Sequence, residues 1–160
     1  MINKHPRVNV LNPGIGVGGH CIAVDPWFFV EVSPWKTQLI RTSREVNDRM
    51  PGYCVQKIIN ALKAIDQPKI VLAGLTYKPN VADTRESPAM RIVELLRDRG
   101  YDVVTYDPLL PEYAGKTLYD VVAEADYLGV LVNHAEIQAT VELNRETLES
   151  LMRTPIIQVF

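Results

Sequence analysis

The chain is 160 residues long, 47% hydrophobic and 22% charged, with a formal net charge of −2. That length supports one domain or two small ones with a self-sufficient core. The charge gives no basic footprint for nucleic acid or an anionic membrane surface, and no apolar run approaches the roughly 18 residues that cross a bilayer. Cys21 and Cys54 are too few for a disulfide framework, and no signal peptide opens the chain, so a cytoplasmic setting is expected. His20, Cys21, Cys54 and His134 show no repeated ligand spacing, so no metal is expected.

Ile2 to Leu11 carries a short apolar strand, and a glycine-rich stretch follows from Asn12 to Pro26. Gly14, Gly16, Gly18 and Gly19 put four glycines in six positions. Such a segment lets a ligand or another strand approach the main chain closely. Cys21 follows at once, and Asp25 lies beyond it between Val24 and Pro26. One reading is a cradle that holds a substrate while sulfur attacks it. Another is a glycine-rich turn beside a thiol buried as a small hydrophobe. Gly14, Gly16 and Gly19 also satisfy G-x-G-x-x-G, a dinucleotide fingerprint that needs a helix opening at its last glycine. Pro26 and the aromatic, β-branched run around it predict no helix between His20 and Phe29, and Glu31 is badly placed as a ribose acid. Residues 1–34 carry more apolar surface than they can cover alone, so a preceding portion is expected.

From Trp35 the apolar positions turn helical. Leu39, Ile40, Val46 and Met50, then Tyr53, Val55, Ile58, Ile59 and Leu62, recur at three- and four-residue steps. Pro51 allows one kinked helix, or two with the second opening at the proline. The run suits a connector or dimer seam, or a plain amphipathic core helix. Asp66-Gln67-Pro68 marks a boundary, dividing the chain into residues 1–66 and 67–160.

Beyond it, strands are expected over Lys69–Leu75, Asp102–Tyr106, Tyr127–Val132 and Ile156–Phe160. Helices are expected over Ser87–Arg99, Leu118–Glu124 and Thr147–Met152, with Ser87-Pro88 as a start signal and Gly100 as a stop. This alternation predicts an α/β fold with a parallel, doubly wound sheet, whose ligands bind beyond the strand C-termini. That rule places Thr76-Tyr77-Lys78, Asp107-Pro108 and Asn133-His134 at the rim.

Three segments together resemble the UDP-glucose/GDP-mannose dehydrogenase family, NAD-dependent enzymes that oxidise the C6 alcohol of a nucleotide sugar to a carboxylate. They are Gly16-Val17-Gly18-Gly19-His20-Cys21 with Asp25-Pro26, Arg44-Glu45-Val46-Asn47-Asp48 with Met50-Pro51, and Gly74 to Asn80 continuing through Asp83-Thr84-Arg85-Glu86-Ser87-Pro88-Ala89. Their order matches the C-terminal part of that family, and the His-Cys-Ile and Val-Asp-Pro wording resembles the branch acting on N-acetylated sugars. The resemblance implies the end of a central dimerisation domain over 1–66 and a Rossmann-like UDP-binding domain over 67–160. It also implies a separate N-terminal NAD-binding domain, a homodimer or larger assembly, and a place in polysaccharide biosynthesis.

The expected reaction is two-step oxidation of UDP-N-acetyl-D-mannosamine to its uronic acid. Another NDP-sugar (UDP-glucose, UDP-GlcNAc or GDP-mannose), or a non-catalytic nucleotide-binding module, remain as alternatives. The resemblance makes Cys21 the nucleophile, its thiolate favoured by loop N–H groups and the cofactor's positive charge. Asp25 orients a water or a neighbouring side chain, or else caps the turn at Pro26. Asn12, Gly14, Ile15, Gly16 and Gly18 lie along the uridine and sugar, and Tyr77 and Lys78 meet the nucleotide or sugar. Cys21, Val24 and Arg85 face NAD. Lys78 read alone is a solvated loop lysine, and Arg85 a surface ion pair with Asp83 or Glu86. Cys54 reads as core, and His134 as structural or solvent-facing. After the last strand the family usually carries an Asp-x-Arg whose arginine helps bind UDP; Ile156 to Phe160 supplies none.

Overall fold

The computed structural model describes residues 4–7 and 13–160. Lys4 to Arg7 form a turn; the rest of the strand expected over Ile2–Leu11, and Asn12, lie outside the described residues. Four strands, β1 (Lys69–Ala73), β2 (Asp102–Tyr106), β3 (Tyr127–Val130) and β4 (Ile156–Val159), pair in parallel in the order β2-β1-β3-β4. The parallel sheet is as expected, with β1 and β3 each ending two residues early.

Helices cover both faces of the sheet. Ile70 and Leu72 of β1 share one core with Cys54, Val55 and Ile58 of α2 (Gln38–Ala61) and with Ala89, Ile92, Val93 and Leu96 of α3 (Pro88–Arg97). Val71 and Ala73 point the other way. They meet Leu118 and Val122 of α4 (Leu118–Val122), Ile137 and Val141 of α5 (Ala135–Leu143) and Leu148 of α6 (Arg145–Leu151). Burial on both faces is why β1 reads as an unbroken apolar run. Packing crosses residue 66, because the C-terminal half of α2 belongs to the sheet's own core.

Two helices depart from expectation. The stretch read as helix-free holds α1 (Asp25–Val32), with Pro26 in its first turn. A proline there forfeits no helical hydrogen bond, so it opens the helix instead of barring it. The dinucleotide fingerprint still fails, since the helix begins at Asp25 and not at Gly19. The second is α5, unanticipated because only Ile137 and Val141 are buried along it, a weak periodic signal. Pro51 proves to lie inside a single continuous α2. Lacking an N–H, it leaves the Asn47 carbonyl without its helical partner.

At the N-terminal end of the sheet, fully buried Asp126 gathers several strand starts. It accepts the Lys69 N–H (2.9 Å), the Thr154 hydroxyl (3.2 Å) and the Arg153 guanidinium through two nitrogens. The Arg153 hydrogen bonds outweigh the penalty of burial, and with Lys69 and Thr154 they hold its pKa at about 2. A carboxylate lowered in the folded state stabilises the fold above its unfolded pKa and loses that contribution as pH falls through the folded value. Asp126→Ala, which strands the Lys69 N–H, is expected to cost about 2 kcal/mol in urea unfolding at neutral pH. The difference from the parent chain should shrink between about pH 4 and pH 2; a gap independent of pH would remove the carboxylate from this role.

Candidate functional site

The strand order reverses at β1, which has β2 on one side and β3 on the other. The segments leaving β1 and β3 meet there, at the strand C-termini where sheets of this kind bind ligands. Gly74 permits the close exit: its φ is +82°, and a Cβ would fall 2.1 Å from the Val132 carbonyl oxygen. Asp107, fully buried just past β2, accepts the N–H groups of Leu75 (2.6 Å) and Thr76 (3.2 Å) on Oδ2 and of Leu109 (2.9 Å) on Oδ1. His134 Nε2 lies 3.0 Å from the same Oδ2. Burial alone would raise the Asp107 pKa; the His134 and backbone hydrogen bonds overcome it and leave it lowered.

The glycine loop lies across α2 and the start of α3. The Asn47 carboxamide clasps Val17 at both ends, accepting its N–H (2.7 Å) and donating to its carbonyl (3.2 Å). A Cβ on Gly18 would sit 2.1 Å from the Glu86 carbonyl oxygen. Gly19, at φ +89°, donates its N–H to the Arg85 carbonyl (3.1 Å) and turns its bare side to the Tyr77 ring, 3.0 Å from where a Cβ would be. The bare sides of Gly16, Gly18 and Gly19 therefore face this chain's own residues, whereas Gly14 meets nothing within 4 Å. Ile15, expected along the nucleotide, buries its side chain in the core with Cys54 and Leu75. It anchors the loop, leaving only its backbone for a ligand.

Cys21 emerges exposed at the end of this loop, while Cys54 is buried. Its carbonyl accepts the N–H groups of Val24 (3.0 Å) and Asp25 (2.8 Å), a turn leading into α1. Among the described residues no hydrogen bond reaches the Cys21 sulfur; Gly19, two residues before it, is tied to the Arg85 backbone and packs on Tyr77. Arg85 is an exposed side chain forked onto Asp83 at 2.6 to 3.1 Å, and its hydrogen bonds hold the Asp83 pKa at about 2. Glycine loop, Cys21, Tyr77 and Arg85 thus form one cluster, with exposed Lys78 beside it. Asp25 is exposed in the first turn of α1 and makes no capping hydrogen bond.

Val24, whose N–H binds the Cys21 carbonyl, also borders a neighbouring space. It lines a cavity of about 630 Å³ between α1, α2 and the start of α3, together with Trp27, Arg44, Asn47, Thr84 and Pro88. None of Cys21, Tyr77, Lys78 and Arg85 lines it. Arg44 is buried there, bonded to Asp48 (2.7 Å), its Nε without a partner among the described residues. Sequence reasoning gave no role to Asn47 or Asp107 and left His134 between two. The signals were Asn47 falling inside a quoted motif and Asp107 falling at the expected rim just after β2.

Residues 71–158 match the UDP binding domain of the UDP-glucose/GDP-mannose dehydrogenase family, and residues 1–49 match that family's central domain. The chain belongs to the UDP-glucose/GDP-mannose dehydrogenase family. It is 48% identical over 141 residues to a UDP-N-acetyl-D-mannosamine dehydrogenase of Methanococcus vannielii, covering 86% of this chain and 33% of that one. It is 41% identical to the Escherichia coli UDP-N-acetyl-D-mannosamine dehydrogenase, covering 86% of this chain and 37% of that one. Among solved structures, UDP-D-ManNAc dehydrogenase from Pyrococcus horikoshii superposes with a TM-score of 0.86 at 37% identity, over 99% of this chain and 38% of that one. The chain thus spans about a third of the length of these family members.

Loop docking is testable without ligand. Gly18→Ala forces a side chain against main chain and is expected to destabilise by about 2 kcal/mol. Gly14→Ala, in open space, should stay within about 0.5 kcal/mol of the parent. Equal urea midpoints for the two variants would refute the docking.

Proposed function

We propose that the chain forms the end of the central dimerisation domain (1–66) and the UDP-binding domain (67–160) of an NAD-dependent nucleotide-sugar 6-dehydrogenase acting on UDP-N-acetyl-D-mannosamine. The observation that carries this reading is an exposed cysteine at the end of a glycine loop docked on Tyr77 and the Arg85 backbone, in a chain 48% identical to a UDP-N-acetyl-D-mannosamine dehydrogenase. The exposed apolar side chains of Phe28, Phe29 and Val32 on α1, Trp35 in the turn after it and Leu39 at the start of α2 support a cover from a second subunit and from an N-terminal cofactor domain. No helix among the described residues is long and apolar enough to cross a membrane.

The chemistry assigned to this chain is covalent retention of an aldehyde. The C6 alcohol loses a hydride and a proton, giving an aldehyde that must not escape. The Cys21 thiol adds across its C=O bond, forming a C–S bond and a hydroxyl. Loss of a second hydride and proton leaves a thioester, and water cleaves the C–S bond to release carboxylate and restore the thiol. NAD supplies the acceptor for both hydrides. Arg85, an exposed cation whose carbonyl binds the Gly19 N–H and whose side chain pairs at the surface with Asp83, fits a phosphate-bearing cofactor at this lip. Lys78, an exposed point charge on the rim, suits the diphosphate of the substrate. Asp25, at the first turn of α1, orients a water toward the thioester.

In the complete enzyme, Cys21→Ser is expected to lower steady-state uronic acid formation at least about a thousandfold, given the loss of the nucleophile. UDP binding should change less than about twofold, since the role proposed for the sulfur is at the sugar C6 and not at the nucleotide. The 160-residue chain alone is expected to reduce no NAD with UDP-N-acetyl-D-mannosamine. Undiminished acid production by Cys21→Ser would remove the nucleophile, and faster turnover of another nucleotide sugar in a substrate panel would replace the substrate.

A further inference from the structure

The loop that carries Tyr77 and Lys78 has no regular structure of its own, yet side chains hold several of its backbone polar groups. Asp107 takes the N–H groups of Leu75 and Thr76. His134, only 1% exposed, takes the Asn80 N–H on Nδ1 at 2.8 Å. Asn80 returns the clasp through its side chain, accepting the Ala135 N–H at 2.9 Å. To do so it adopts φ +60°, a left-handed conformation that asparagine tolerates better than most residues. The Thr76 hydroxyl donates to the Lys78 carbonyl at 3.1 Å, fixing the backbone of the lysine while its side chain stays exposed.

These contacts determine the tautomer of His134. The Asn80 N–H is a donor, so Nδ1 must carry a lone pair and the ring proton must sit on Nε2. Nε2–H then points at Asp107 Oδ2 (3.0 Å) and also approaches the Thr76 oxygen (3.2 Å), whose own hydrogen is committed to Lys78. The carboxylate orients the imidazole, and the imidazole orients the loop.

We propose that His134 and Asp107 are positioning residues for nucleotide recognition, setting the conformation of Thr76–Asn80 and thereby the placement of Tyr77 and Lys78. The proposal rests on the reading of Lys78 as a nucleotide contact. Because Tyr77 also packs on Gly19, the same clamp fixes the rim against the loop that presents Cys21.

The test uses the 160-residue chain with UDP as the probe. His134→Leu, if folded by thermal melt, is expected to speed amide exchange at Thr76 and Asn80 by about tenfold or more while leaving Ile70 to Leu72 in β1 unchanged. In calorimetry it should weaken UDP binding about tenfold, but by less than about twofold in a Lys78→Ala background, since residues acting through one another are non-additive. His134→Asn keeps an acceptor near the Nδ1 position; it should restore protection at Asn80, and it serves if the leucine variant does not fold. Unchanged loop exchange in a folded variant overturns the proposal. So does faster exchange with unaltered UDP affinity, or a loss that adds in full to that of Lys78→Ala. UDP binding by the parent chain that ignores Lys78→Ala would instead overturn the nucleotide reading of that lysine, and the proposal with it.

Discussion

A carboxylate with no solvent exposure is tolerable only where donors replace the water it has lost, and Asp107 meets that condition with three backbone N–H groups and an imidazole. The geometry of the rim follows from this one group. Its donors come from the segment leaving β1, from its own turn after β2 and from the segment leaving β3, so satisfying the charge draws three strand ends together. The start of α5 is joined to them through Asn80. The parallel sheet brings the strand ends to one side, but the buried charge determines how the chain leaves them.

The glycine loop obeys a different constraint, that of close approach. The missing side chains at Gly16, Gly18 and Gly19 make room for Pro88, Glu86 and Tyr77, which lets the loop lie flat on the start of α3. Pro51 and Asn47 complete the seat. The proline frees the Asn47 carbonyl, a Cβ on Gly16 would lie 3.4 Å from that oxygen, and the Asn47 side chain holds Val17. With Ile15 sunk in the core, the segment arrives at Cys21 fixed at several points. An exposed sulfur on a fixed backbone is what a positioned nucleophile requires.

The alternation of strands and helices was legible because Ser87-Pro88, Gly100 and the apolar run of β1 are local signals that tertiary packing did not override. Pro26 was misread because one residue type both ends and opens helices, and only its place in the turn decides which. The glycine spacing showed that something approaches the backbone but not what, since a ligand and Glu86 make the same steric demand. His134, expected at a strand end, lies four residues past β3 at the N-cap of α5, and its partners Asp107 and Asn80 are far from it in sequence. Cys21 illustrates the limit most plainly: composition left a buried and an exposed thiol both open, and its exposure follows from how the loop seats, which no local pattern records.

The two fully buried carboxylates sit at opposite ends of the sheet and are satisfied differently. Asp126, at the strand N-termini, has an arginine, so its charge is cancelled where it lies. Asp107, at the C-termini, has only dipoles and an imidazole whose Nδ1 accepts the Asn80 N–H, a geometry that fits the neutral ring. Hydrogen bonds from dipoles hold a charge in place without removing it, so a net negative charge remains beneath the Thr76–Asn80 loop. Any anion approaching that rim feels it through low-dielectric protein. Lys78, exposed and two residues from the Asp107-bound Thr76 N–H, is the cation that the loop itself presents against that field. The buried charge that shapes the loop thus also makes the position of its lysine matter, since a point charge offsets the field only where it is held.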